Sequence, residues 1–211
     1  MSSAQEFYRN WFQAQAHGAP GGEVEATFFR RVQAALRVMG PCPRRVLDFG
    51  CGDGAASKVL AAAGHTVVGV DISESAIAIA RQNVPSATFT LIESESHIPF
   101  PDASFDACFC TEVIEHVLGV REFIGEVHRL LAPEGLFLIT APYHGCVKNL
   151  LIITLNFERH FDVTWGHIRF FTRRSLTQCL EAGGFEVQAF MGIGRFWPVR
   201  KTMFITARSR P

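Results

Sequence analysis

Two carboxylates and an imidazole stand at Glu112, Glu115 and His116, an i, i+3, i+4 spacing that places side chains on one face of a helix. Such a face could hold a divalent metal ion. His116, with His144 and His167 further along, is also a candidate general base, because imidazole titrates near neutral pH. A second constellation is Asp48-Phe49-Gly50-Cys51-Gly52-Asp53-Gly54, which follows one apolar run and opens a helical stretch. Glycines there let the backbone approach a ligand, and a helix N-terminus offers N–H groups, so a nucleotide-like ligand is expected. Asp71 closes the next apolar run, 21 residues after Gly50. That is the distance at which an acid meets ribose hydroxyls in doubly wound folds.

Two cofactors compete for this turn. Gly50, Gly52 and Ala55 satisfy the G-x-G-x-x-G/A dinucleotide rule. The surrounding motifs favour a different one: D-x-G-x-G-x-G from Asp48, then VGVDIS, IPFPDASFD, TEVIEHV and LLAPEGLFLIT, in that order. This series resembles the class I S-adenosylmethionine-dependent methyltransferases, particularly the branch of the ubiquinone-pathway O-methyltransferases. The resemblance is close over residues 44–141 and looser over 165–207.

The resemblance implies roles residue by residue. Asp48, Gly50, Cys51, Gly52 and Gly54 would line the methionine and ribose portion of the cofactor. Asp71 would accept both ribose hydroxyls, with Ile72 packed on adenine. Ser94 stands where the family often has an Asp facing the adenine amino group, which leaves that contact to Ser94, Glu95 or a backbone amide. Cys110 and Thr111 would sit beside the methionine end. Glu112, Glu115 and His116 resemble the Glu-x-x-Glu-His metal motif of ubiquinone-pathway and small-RNA 3′-end methyltransferases, in which a later histidine completes the site. His167 lies where that histidine is expected, and His144 and His160 are rivals. Mg²⁺ prefers oxygen ligands, so a site with two histidines would also suit Mn²⁺, Fe²⁺, Co²⁺ or Zn²⁺. Without a metal, the acids would serve a helix N-terminus and the cofactor edge.

The implied function is methyl transfer from S-adenosylmethionine to an oxygen of a small molecule, a catechol, polyol or sugar-like hydroxyl, with possible help from Mg²⁺ or another divalent ion. The competing readings are an NAD-dependent oxidoreductase and a non-catalytic S-adenosylmethionine-binding module.

The elements that must position these residues follow from an alternation. Short apolar runs ending in Gly or Asp (RRVLDFG, HTVVGVD, ATFTLIE, FDACFC, GLFLITAP) are separated by helical stretches, the pattern of βαβ units and a parallel sheet. FEVQAFM and KTMFITAR read as two further strands after the helix RRSLTQCLEAG. The expected fold is a doubly wound α/β domain of seven mostly parallel strands. Its parts are a helical cap over 1–43, split into two helices by a loop at 17–22, a cofactor-binding core over 44–141, an inserted lid over 142–171, and a C-terminal helix and strands over 172–211. The lid breaks the alternation and holds many aromatics (Tyr143, Phe157, Phe161, Trp165, Phe170, Phe171), where an α/β sheet puts loops over its active face.

The 211 residues carry 20 Lys+Arg and 20 Asp+Glu, so bulk charge gives no strong nucleic-acid signal. The basic tail (Arg195, Arg200, Lys201, Arg208, Arg210) could still guide an anionic acceptor. Six dispersed cysteines and an N-terminus without a secretory apolar stretch point to the cytoplasm. No run reaches the ~20 apolar residues of a membrane span, although Val147 to Leu155, flanked by Lys148 and Arg159, could touch a membrane peripherally.

Overall fold

A computed structural model describes residues 23–155, 157–160 and 168–211. The elements run α1 (Glu23–Met39), β1 (Arg45–Phe49), α2 (Ala55–Ala62), β2 (Thr66–Asp71), α3 (Glu74–Asn83), β3 (Thr88–Leu91) and β4 (Phe105–Thr111). They continue with α4 (Val120–Leu130), β5 (Leu131–Pro142), α5 (Cys146–Leu155), the short α6 (Phe157–His160), α7 (Arg173–Ala182), β6 (Phe185–Ile193) and β7 (Thr202–Ser209). All seven expected strands are present. The sheet order is β3-β2-β1-β4-β5-β7-β6, with β1 to β5 mutually parallel and β7 antiparallel between β5 and β6. The dinucleotide-binding order is 3-2-1-4-5-6; the reversed β7 wedged inside the sheet sets this fold apart from it.

The central strands are buried on both faces, which explains their nearly continuous apolar runs. On β1, Leu47 and Phe49 face one layer while Val46 faces the other. The first layer is filled by α4 and α7, where Phe49, Phe123, Phe137 and Phe185 form a chain of rings with centroids 4.9, 6.4 and 5.1 Å apart. The second layer is filled by α1 and α2. Helix α1 buries Thr27, Arg31, Ala34, Ala35 and Met39, a stripe at helical spacing, and closes with Gly40 at φ +71, whose N–H reaches the Leu36 carbonyl at 3.0 Å. The cap expected at the N-terminus is therefore, over its described part, a helix laid directly on the sheet; the expected first helix and the 17–22 loop fall outside the described residues.

Side chains cap helices α3 and α7. Ser73 Oγ accepts from Ala76 N at the start of α3, and Thr172 with Ser175 forms a capping box at the start of α7. Among the described residues no helix is long and apolar enough to cross a membrane.

Candidate active site

At the C-terminal ends of β1, β2 and β4 lies a cavity of about 280 Å³, the crevice where doubly wound sheets bind ligands. The turn after β1 forms its floor. Gly50 and Gly52 sit at φ +72 and +54, and a Cβ on Gly50 would lie 2.3 Å from Val113 Cγ2, so glycine is required there by both backbone and space.

Most of the N–H groups of this turn are spent within the protein. Gly50 N and Cys51 N both donate to Val70 O (2.8 and 3.0 Å), and Gly54 N donates to Cys51 O. Gly52 N donates to Asp71 Oδ2 at 3.0 Å, and Ala55 N to Asp53 Oδ1 at 3.1 Å. The expectation that this turn offers its donors to a ligand needs correcting. It offers close approach instead, which suits a ligand without phosphates better than a pyrophosphate that must be cradled by N–H groups.

Asp71 is held in place from both sides, since Ser73 N donates to its Oδ1 at 2.8 Å while Gly52 N holds its Oδ2. Burial pushes its pKa up. Each carboxylate oxygen keeps a further lone pair for a ligand hydroxyl. Ile72, Ser73 and Glu95 continue the wall beside it.

The other end of the cavity is walled by Phe28, Arg31, Thr111, Glu112, Val113, His116 and Val117. Here the structure departs from the expected helical face. Residues 112–119 form a turn, and α4 begins only at Val120. Glu112 leaves β4 at φ +54, a strained conformation for a side-chain-bearing residue, and His116 N bonds back to Val113 O at 2.9 Å. The turn separates the three groups. Glu112 and His116 reach the cavity, whereas Glu115 is fully buried away from it.

Glu112 is already engaged. Its Oε1 accepts from Arg31 Nη1 at 3.1 Å and from Thr140 Oγ1 at 2.9 Å. Glu115 has no hydrogen-bond partner at either oxygen among the described residues. Burial first, and the Glu112 charge second, push its pKa well above the ordinary carboxylate value. Among the described residues, no three His, Cys, Asp or Glu side chains converge as a metal requires. Glu112 is paired to a guanidinium and Glu115 is buried away from the cavity, so the expected metal set of Glu112, Glu115 and His116 is not assembled among the described residues. His167, its fourth member and a candidate base, lies outside the described residues.

Other expectations divide. Thr111 lines the cavity, its hydroxyl 3.0 Å from that of Thr140. Cys110 is buried in the core behind it. Asp48 is fully buried under the turn, bonded through Oδ2 to Ser57 Oγ at 2.6 Å, and burial pushes its pKa up to about 6. Cys51 packs with Ile77 and Phe89, where burial pushes its thiol pKa up. Gly54, at φ +82, is the N-cap of α2. These three shape the turn and do not form the cavity wall. Of the adenine candidates, Glu95 reaches the wall, whereas Ser94 Oγ pairs with Ser96 Oγ at 2.8 Å. His144 is buried off the cavity, its Nδ1 3.2 Å from Asn149 Oδ1 and its ring 5.0 Å from that of Phe170. It is not placed to act as the base.

Arg31 was not anticipated. The signal was a lone arginine on the apolar stripe of α1, a position where a buried charge needs a partner. Its Nε is buried and without a hydrogen-bond partner among the described residues. Lys148 on α5 was read in the sequence only as a flank of an apolar run. It donates to Tyr143 O at 2.7 Å, and burial lowers its pKa to about 8, against the pull of Glu112.

Comparison with known proteins agrees with this geometry. Residues 15–189 match the family model described as a methyltransferase domain. The chain belongs to this methyltransferase family. A probable S-adenosylmethionine-dependent methyltransferase of Mycolicibacterium smegmatis is 32% identical over 176 residues, which cover 82% of this chain and 65% of that protein; the chain thus spans less than two thirds of that relative. A ubiquinone biosynthesis O-methyltransferase of Thiobacillus denitrificans is 24% identical over 196 residues, 89% of this chain and 83% of that one. The fold is shared with the 1,6-didemethyltoxoflavin-N1-methyltransferase of Burkholderia thailandensis, solved with its acceptor and S-adenosylhomocysteine. There the TM-score is 0.74 at 19% identity, covering 100% of this chain and 92% of that one.

Proposed function

We propose that this methyltransferase uses S-adenosylmethionine to methylate an oxygen of a small molecule, a catechol, polyol or sugar-like hydroxyl, in the cytoplasm. The observation that carries the cofactor assignment is the Asp71 carboxylate, fixed by two backbone N–H groups on the wall of a cavity whose glycine turn spends the N–H groups of Gly50, Cys51, Gly52 and Gly54 within the protein. The charges along the wall match the cofactor in order. Asp71 and Glu95 suit ribose hydroxyls and an adenine amine, and Arg31, at the opposite end, suits the methionine carboxylate.

When bound, the cofactor supplies a sulfonium that already activates its methyl group. The protein's task is then to hold the acceptor in line, exclude water and remove one proton. Phe49, Val113 and Val117 give the wall its apolar part. His116 is the imidazole on that wall and would take the acceptor proton as the methyl group supplied by the cofactor is transferred. No divalent ion enters this reading, because Arg31 already neutralises Glu112.

The test is calorimetric titration with S-adenosylhomocysteine, with NADH as the comparison ligand. Micromolar binding of S-adenosylhomocysteine alone supports the cofactor; preference for NADH overturns it. Acceptor screening with catechols, polyols and sugars then tests the oxygen assignment, and methylation confined to nitrogen acceptors would overturn that part. Exhaustive chelation is expected to leave turnover unchanged, and loss restored by Mg²⁺ or Mn²⁺ would reinstate a metal.

A further inference from the structure

Helix α5 reads Cys-Val-Lys-Asn-Leu-Leu-Ile-Ile-Thr-Leu, is apolar nearly all round, and has no buried residue. A helix of this composition is ordinarily buried, yet Leu150 is 63% and Leu155 78% exposed. The loop between β6 and β7 adds Phe196 at 77% and Trp197 at 72% exposure. The two segments adjoin, since Lys148 Nζ lies 3.5 Å from Lys201 O and Tyr143 N donates to that same carbonyl at 2.9 Å. Large exposed apolar surface of this kind marks an interaction site.

The charge around it is one-sided. Residues 146–155 and 194–201, the two adjoining segments, hold four basic residues (Lys148, Arg195, Arg200, Lys201) and no acid, in a chain that is neutral overall. Apolar side chains ringed by cations complement an anionic lipid surface, where the former enter the acyl boundary and the latter meet headgroups. A protein partner or a second copy would need no such excess of one sign.

We infer that α5 and the β6–β7 loop form a docking surface for an anionic lipid bilayer. Docking stands independently of the methyl-transfer reading.

The experiment is co-sedimentation of the full chain with vesicles of phosphatidylglycerol and phosphatidylcholine, against pure phosphatidylcholine. A variant carrying Trp11→Phe and Trp165→Phe leaves Trp197 as the fluorescent reporter. Binding to the anionic vesicles with a blue shift of Trp197 is expected. Leu150→Asp with Leu155→Asp should reduce partitioning at least tenfold, and Arg195→Gln about fivefold. S-adenosylhomocysteine affinity of each variant is measured in parallel, so failure of the cofactor reading is read separately from failure of docking. Absence of binding to anionic vesicles overturns the inference, as does binding that ignores the Leu150 and Leu155 changes. Burial of Trp197 in a concentration-dependent dimer without lipid also overturns it.

Discussion

Replacing Asp71 by Asn tests the cofactor site with the least change of shape. The two carboxylate oxygens each accept one backbone N–H, from Gly52 at 3.0 Å and Ser73 at 2.8 Å. An amide has one acceptor, so its NH₂ must face one of these donors or turn away from it, leaving a donor unsatisfied at a cost of about 1–3 kcal/mol to the cradle. The same change removes a charge-assisted bond to one ribose hydroxyl, worth about 1.5–3 kcal/mol. From the second term alone, S-adenosylhomocysteine should bind about tenfold to about 150-fold more weakly. The pH profile gives an independent arm. Burial holds the Asp71 pKa above the ordinary carboxylate value, so affinity of the unmodified protein should fall as pH drops through that raised value and the acid gains a proton. Asp71→Asn should show no such fall. Calorimetry between pH 4.5 and 8 measures both. Affinity within twofold of the unmodified protein, with the same pH profile and an unchanged near-UV circular dichroism spectrum, would refute the assignment.

Three further outcomes are expected. Gly50→Ala should abolish measurable cofactor binding, because its Cβ would collide with Val113 Cγ2; adding Val113→Ala should recover part of it by calorimetry, leaving only the roughly 1–2 kcal/mol of the left-handed backbone. Arg31→Gln should weaken S-adenosylhomocysteine at least tenfold yet leave 5′-methylthioadenosine, which lacks the amino-acid carboxylate, within twofold; equal losses would show that Arg31 acts on structure alone. Asp48, fully buried with its pKa raised to about 6, holds more protons folded than unfolded between its ordinary value and 6. Stability should therefore fall as pH rises through that window, by roughly 3 kcal/mol at 1.36 kcal/mol per unit. Asp48→Asn should flatten this slope in thermal melts from pH 3.5 to 7.5, and an unchanged slope would count against the buried charge.

The fold was legible because strand and helix signals alternate cleanly: β1 and β4 are apolar runs with both faces covered, and the glycine turn with Asp71 fixes where β1 and β2 end. The placement of Gly50, Gly52 and Asp71 on one cavity was legible for the same reason, since the glycine turn and the end of β2 are set by local sequence. The acceptor end was not. The i, i+3, i+4 spacing of Glu112, Glu115 and His116 suits a helix, but a turn of the same length meets that spacing too, and here it sends the two acids apart. What decides between them is Arg31, delivered by α1 from a distant part of the chain. Its guanidinium pairs with Glu112 at 3.1 Å, while Glu115, buried and without a hydrogen-bond partner among the described residues, has its pKa raised by burial and by the Glu112 charge. Spacing alone could list the ionisable groups of this site, but only the packing of α1 against the end of β4 determines which of them carries charge. The proposed acceptor chemistry rests on that arrangement: one paired acid, one buried acid, and an imidazole on the cavity wall.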